Sequence, residues 1–333
     1  MRLSTVGLLL VMSALAAHPE TVSELLAAAS SVNPIPASLA LDRELAELRL
    51  EKSRIEAKRD RDRLSAETAY LSTLESQRRS LLDFCTIVID AVFDAAVAEV
   101  DARIAARSAT AATDEEEGAR RQFARGLLSE EDLANAGLQR RSALLSAEQA
   151  EWALEDASRQ LKEATGLAWR PSLVPGVPDV VLPADASAWV QNDLALRAAE
   201  LALQVATGEA DALPGNAAPY DRRIAEAALE KATMALAQAR QGSERGFRGA
   251  VQNLQSQKAS IALREGEIEL QHALLADAER RYRQGVVARG EWDRQQVRAW
   301  TAEKARLQAL RGFLRSLLGY LVSTGADPRE ALP

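Results

Sequence analysis

The chain has 333 residues and a net charge of -7 with both signs interspersed, which excludes a nucleic-acid binder built on a concentrated basic face. About a fifth of it is alanine and only 4% is aromatic, and with Leu, Glu, Arg and Gln as the other common residues this is the composition of long helices. Glycine and proline are few and clustered, so they punctuate a small number of long elements.

The N-terminus, "MRLSTVGLLLVMSALAAHPE", combines Arg2, an apolar run from Val6 to Leu15 and the small-x-small pattern Ala14-Leu15-Ala16. It reads as a secretory signal peptide over residues 1–17, cleaved after Ala16 or Ala17, and so predicts an exported protein. No cysteine follows the apolar run. The single cysteine, Cys85, sits in "LLDFCTIVIDAVF" and reads as a small core residue. No later segment reaches the ~20 apolar residues that a membrane-spanning helix needs.

Residues 18–38 read as a loose leader, because "VNPIPAS" carries two prolines. Ser38 is the candidate N-cap of a helical stretch opening at Leu39. From Leu39 to Arg125 there is no proline and one glycine, Gly118. This stretch either turns near Lys58–Arg63, in "IEAKRDRDRLSAE", or runs on as one helix of roughly 130 Å at 1.5 Å per residue. After Gly126 the helical pattern returns with Ser129 as N-cap and ends at Thr165-Gly166. A proline-rich linker (171–187) follows. The second half has helix from about Ala188 to Ala212, a break at "LPGNAAPY", helix from Arg222 to Gln284, the glycine Gly285, and a last helix ending at Thr324-Gly325 before a tail of residues 326–333.

The halves are an internal repeat, 39–170 and 188–325. Gly126 to Gly166 and Gly285 to Gly325 are equally spaced, and an offset of 159 also aligns Phe123 with Tyr282, Asp132 with Glu291, and Leu133 with Trp292. Phe247, Leu254, Ile261, Ile268, Leu275 and Tyr282 recur every seven residues, the signature of a left-handed coiled-coil seam. The matching seam of the first half, Val88, Ala95, Ala102, Ala109, Glu116 and Phe123, is smaller. Each of Gly126 and Gly285 then sits at the tip of a helical hairpin, where a positive φ closes one helix and lets the next reverse. The fold class is all-α: two long antiparallel helical hairpins with coiled-coil packing, related by an internal repeat. Leu229, Leu236, Leu263, Leu270 and Leu274 lie off the main seam and ask for contacts on a second side of their helix.

The tips "FARGLLSEEDL" and "YRQGVVARGEW", the endings "LKEATG" and "LVSTG", and "NDLALRAAELALQVA" together resemble the outer membrane efflux (TolC-like) family over residues 39–325. The resemblance implies a passive periplasmic duct in a tripartite efflux or secretion system, with a periplasmic adaptor (membrane fusion) protein and an inner-membrane pump as partners. It implies a trimer of twelve long helices and association with the outer membrane. It carries adaptor docking onto Phe123, Gly126, Leu128, Ser129, Asp132 and Leu133 in the first tip, and onto Tyr282, Gly285, Val287, Glu291 and Trp292 in the second. Ala288 stands where the first tip has Ser129, so one hydroxyl cap is missing.

The sequence departs from that family in one respect. Each repeat of the family contributes two strands to a barrel, whereas "DALPGNAAPY" and "SRIEAKRDRDR" do not alternate as membrane strands do. The expectation is a periplasmic helical part without its barrel, not spanning the membrane alone, as a homo-trimer or in mixed assembly with a full-length relative. The competing reading is a soluble periplasmic coiled-coil structural or adaptor-binding protein that has lost transport. No nucleophile, P-loop or metal-ligand motif is present, so neither an enzyme nor a cofactor is expected. The acidic "DEEE" at Asp114–Glu117 and the basic Arg280, Arg281, Arg283 and Arg289 suggest that the two tips pair by charge.

Overall fold

The computed structural model describes residues 21–57, 59–180 and 185–332. The signal-peptide segment, 1–17, lies outside them. The described residues form helices, one short 3-10 turn at Pro171–Leu173, and no strand. None of these helices is long and apolar enough to cross a membrane.

The helices are α1 (Val22–Val32), α2 (Ile35–Glu56), α3 (Asp60–Phe123), α4 (Glu130–Thr165), α5 (Ser187–Asn192), α6 (Leu194–Asp211), α7 (Pro219–Arg283), α8 (Arg289–Ser323) and α9 (Pro328–Ala331). The repeat is visible in their starts. The pairs Ile35 and Leu194, Asp60 and Pro219, and Glu130 and Arg289 are each 159 residues apart. Gly126, Gly166, Gly285 and Gly325 are the positive-φ residues among those described, at 71°, 73°, 72° and 78°. At Gly126 the chain closes with a bond from the Leu127 N–H back to the Gln122 carbonyl, and at Gly285 Val286 repeats it to Arg281. This is the Schellman ending that a left-handed residue permits.

Two expectations need correction. Residues 18–38 are not a loose leader throughout. Thr21 caps α1 in a reciprocal capping box with Glu24, and Val22, Leu25, Leu26 and Ala29 are buried in the core. Ser38 is not an N-cap either. Pro34 stands at the cap of α2 and Ile35 begins it, because prolines are tolerated in a helix's first turn, where amide groups have no partner. Ser38 donates instead to the Ile35 carbonyl within that turn. The Leu39–Arg125 stretch does turn. α2 ends at Glu56, α3 begins at Asp60, and the two run antiparallel, with Gln77 donating to the Leu39 carbonyl (3.3 Å) and Arg54 paired with Glu67 (3.3 Å). The helix read from Ala188 to Ala212 is divided at Asp193, whose carboxylate caps α6.

The long helices form a layer in the order α4, α3, α8, α7, in which α3 against α8 joins the two hairpins. α2 lies on α3, while α6 lies on α7 and α3. The core sits away from the tips, around Phe84, Val88, Ile89, Val92 and Phe93 of α3 and Leu310, Leu314, Leu317 and Leu318 of α8. Cys85 is inside it, and burial pushes its thiol up to about 12, so the thiolate is disfavoured at neutral pH. The heptad seam of α7 is buried at Phe247, Leu254 and Ile261 and opens gradually toward Tyr282. The first-half seam carries a polar layer at its matching height. Glu116 is buried in contact with Arg120 (2.8 Å) and Arg140 (2.5 Å), and Gly137 of α4 leaves room for it.

The tight packing of α1 onto the end of α4 gives a test. A Cβ on Gly166 would fall 2.7 Å from Cγ2 of Val32, at a φ that L side chains rarely adopt. Gly166→Ala is expected to cost about 1–2 kcal/mol, and Gly285→Ala, with open space around it, only the backbone part of about 1 kcal/mol. Urea melts of both variants, and of Gly166→Ala combined with Val32→Ala, separate the two terms. Equal losses in both single variants would show that the contact with α1 contributes nothing.

Candidate functional site

Three features of the surface stand out: the two glycine tips, the charged joint between the hairpins, and the outer faces of α4 and α7.

The first tip is built by Ser129, whose hydroxyl accepts from the Asp132 N–H (3.0 Å) and so begins α4. Ala288 caps α8 in the same backbone conformation with no side-chain bond. Ser129→Ala should lower stability by about 1 kcal/mol, and Ala288→Ser should raise it by a similar amount, read as opposite shifts in a thermal melt. A shift of the same sign in both would contradict the shared cap geometry.

The structure places the sequence-derived tip residues unevenly. Phe123 is exposed, while Leu128, Leu133 and Val287 are half-buried. Ser129, Asp132 and Glu291 are exposed. Tyr282 and Trp292 are stacked face to face at 5.4 Å and 6°, and the Arg107 guanidinium covers the other side of Trp292 at 4.6 Å. The second tip's aromatics therefore already hold α7, α8 and α3 together. The most exposed apolar side chains at the tips are two that sequence reasoning passed over, Leu127 (71%) and Val286 (64%). Each directly follows a left-handed glycine, and that position after a helix end is the signal that would have found them.

The charge-pairing expectation holds at one place and fails at the others. Arg289 of the second tip reaches Asp114 of the first at 3.0 Å. Arg280, Arg281 and Arg283 turn back along α7 to Asp277 and Glu279, since partners one turn away cost less side-chain ordering than partners on another helix.

The joint between α3 and α8 is a ladder of ion pairs. From the core toward the tips it runs Arg315 to Asp90, Arg311 to Asp90 (2.9 Å) and Asp94 (2.6 Å), Lys304 to Asp101 (2.7 Å), Arg103 to Glu303 (3.2 Å), Arg107 to Asp293, and Arg289 to Asp114. Burial works to raise the Asp90 carboxyl, but its bonds to Arg315 and Arg311 outweigh it and hold that group below the usual carboxylate range. His272 adds Nε2 to Glu303 at 3.3 Å. Among the described residues no group of three or more His, Cys, Asp or Glu side chains is arranged to hold a metal ion.

The outer faces complete the surface. α4 and α7 are the two ends of the layer. Leu138, Leu145 and Trp152 form an exposed seven-residue stripe on α4, with Leu144 beside it, and Leu263, Leu270 and Leu274 are exposed on α7. The stripes stand at similar heights. Leu138–Trp152 begin 12 residues past Gly126, and Leu274 lies 11 before Gly285, on the order of 16–18 Å from each tip at 1.5 Å per residue.

No protein-family model and no curated protein matches the sequence. Solved structures do match. CusC superposes with a TM-score of 0.59 at 15% identity, covering 92% of each chain. A membrane protein from Pseudomonas aeruginosa gives 0.58 at 14% identity over 93% of this chain and 91% of its own. The Campylobacter jejuni CmeC outer membrane channel gives 0.57 at 11% identity over 92% and 86%. The fold is thus the all-helical TolC-like arrangement that the sequence resemblance implies.

Proposed function

We propose that the chain is a duct component of a tripartite efflux or secretion apparatus, exported to the periplasm and associated with the outer membrane. It acts by lining a passage, with no covalent step. The observation that supports this most directly is the pairing of two glycine-tipped hairpins with two open, apolar edges, α4 and α7, at matched height. Such a layer leaves large apolar side chains in water unless its edges meet other chains, and exposed stripes of this kind mark interaction surfaces. Three copies would supply twelve long helices. The structural neighbours named as outer membrane channels support the same reading.

The tips are the proposed docking surface for a periplasmic adaptor that couples the duct to an inner-membrane pump. Phe123, Leu127 and Val286 present the apolar contacts there, and Ser129, Asp132 and Glu291 the polar rim. The test is the mass of the purified chain by light scattering, followed by capture of a purified periplasmic adaptor. A trimer that binds the adaptor, and loses it in a Leu127→Ser/Val286→Ser variant, supports the proposal. A monomer that captures no adaptor leaves the structural coiled-coil reading instead.

A further inference from the structure

We infer that α4 of one copy packs on α7 of a second copy in the way α8 packs on α3 within the chain, and that this seam between copies is apolar where the internal one is charged. The inference rests on the duct reading above and adds the chemistry that tells the two joints apart.

The repeat supplies the geometry. An offset of 159 carries α3 onto α7 and α4 onto α8. The α3–α8 joint seen inside the chain is therefore the template for a joint between α7 and the α4 of another copy. Pairing by the template is head-to-tail, so it can propagate and close into a ring. The groove where Ala111 and Glu115 of α3 face Gly290 and Asp293 of α8 fixes which α7 side chains would look outward. The equivalents of Ala111 and Glu115 are Leu270 and Leu274, both exposed.

The ladder supplies the chemistry. On α8 its members Glu303, Lys304 and Arg311 correspond to Leu144, Leu145 and Trp152 on α4. On α3 its members Asp90, Asp94 and Asp101 correspond to Gly249, Asn253 and Ser260 on α7. Both sides lose their charges together, so neither leaves the other unpaired. The opposite ends of the hairpins show the same exchange. Arg61 on α3 pairs with Glu209 on α6 at 3.8 Å, and the repeat places Tyr220 and Leu50 at those positions. Tyr220 is the most exposed aromatic among the described residues. Complementary loss of charge at each equivalent pair is what a second copy of this chain would fit. A polar partner would not.

Two physical consequences follow. The seam between copies gains from apolar burial and is not screened by salt, whereas the internal joint is held by pairs that salt weakens. A large aromatic at the centre of such a seam is also where a charge would do most harm.

The experiment is a crosslinking map on the full chain with Cys85 replaced by Ala. Lys304 and Asp101 are in contact inside the chain, so Leu145→Cys and Ser260→Cys should meet between copies, and a short bismaleimide should join them into closed oligomers. Leu145→Cys alone should not crosslink. Trp152→Glu should weaken self-association by roughly 30-fold or more, as loss of an interface anchor does. Molar salt should leave wild-type association within about threefold, as apolar contacts predict. Crosslinking by Leu145→Cys alone would mean that two α4 helices face each other and would overturn the assignment. So would oligomers that ignore Trp152→Glu or that dissociate in salt. A wild-type chain that stays monomeric would overturn the duct reading with it.

Discussion

Asp293→Ala is expected to destabilise the protein by about 3–5 kcal/mol, the range found when one partner of a buried ion pair is removed. Asp293 sits on α8 with its side chain 5% exposed, bonded to Arg107 of α3, whose side chain is 16% exposed. Arg289 approaches its other oxygen at 4.0 Å. Arg107 is also pinned against Trp292, which is stacked on Tyr282. Removing the carboxylate leaves a guanidinium held in a dry crevice with its main counter-charge gone, and it cannot reach water without leaving Trp292. The cost arises from that stranded charge, not from a large net gain by the pair, so Asp293→Ala with Arg107→Leu should recover much of the loss. Chemical denaturation of the single and double variants measures this directly. A single-variant loss below about 1 kcal/mol, the level of an exposed pair such as Lys52 with Glu56, would show that the site is wet.

This network also shows where the sequence stopped being readable. The turns were legible because each rests on one residue with one conformational property. Gly126, Gly166, Gly285 and Gly325 had to be left-handed, and they are. Ser129 had to cap α4, and it does. The heptad at Phe247, Leu254 and Ile261 was legible because a buried stripe repeats with the helix. The ladder was not, because its partners lie about 200 residues apart. The local pattern around Arg107 or Asp293 is the same whether the side chain is solvated or crosses to another helix. The misassigned tip pairs have the same cause: Arg280, Arg281 and Arg283 had acidic neighbours on their own helix, and these compete successfully. The turn between α2 and α3 was half-legible. No glycine or proline marks it, and repeat symmetry was the argument for it against local helix propensity.

The sharpest misreading, the leader, yields the second large effect. Leu26→Ala should cost about 2–5 kcal/mol, the usual range for emptying a well-packed core position. Leu26 is fully buried, next to Leu25 and Ala29, in a helix that packs on α3, α4 and α9. A loose leader would tolerate the change. α1 escaped notice because it is only 11 residues long and stands just ahead of two prolines, so its apolar spacing was too brief to outweigh the break that follows. Its position explains why it is held so firmly. It covers the end of the bundle where Val88, Ile89 and Leu314 would otherwise meet water, and Gly166 approaches Val32 closely enough to fix it in place. Thermal melts of Leu26→Ala beside Ser31→Ala, an exposed site on the same helix, test this. If both variants melt within about 1 °C of the wild type, α1 does not close the core, since 1 kcal/mol corresponds to about 2–4 °C in a chain of this size. If only Leu26→Ala falls, the first folded segment of the chain is part of the scaffold that holds both hairpins, and truncations that begin at Leu39 should fail to fold.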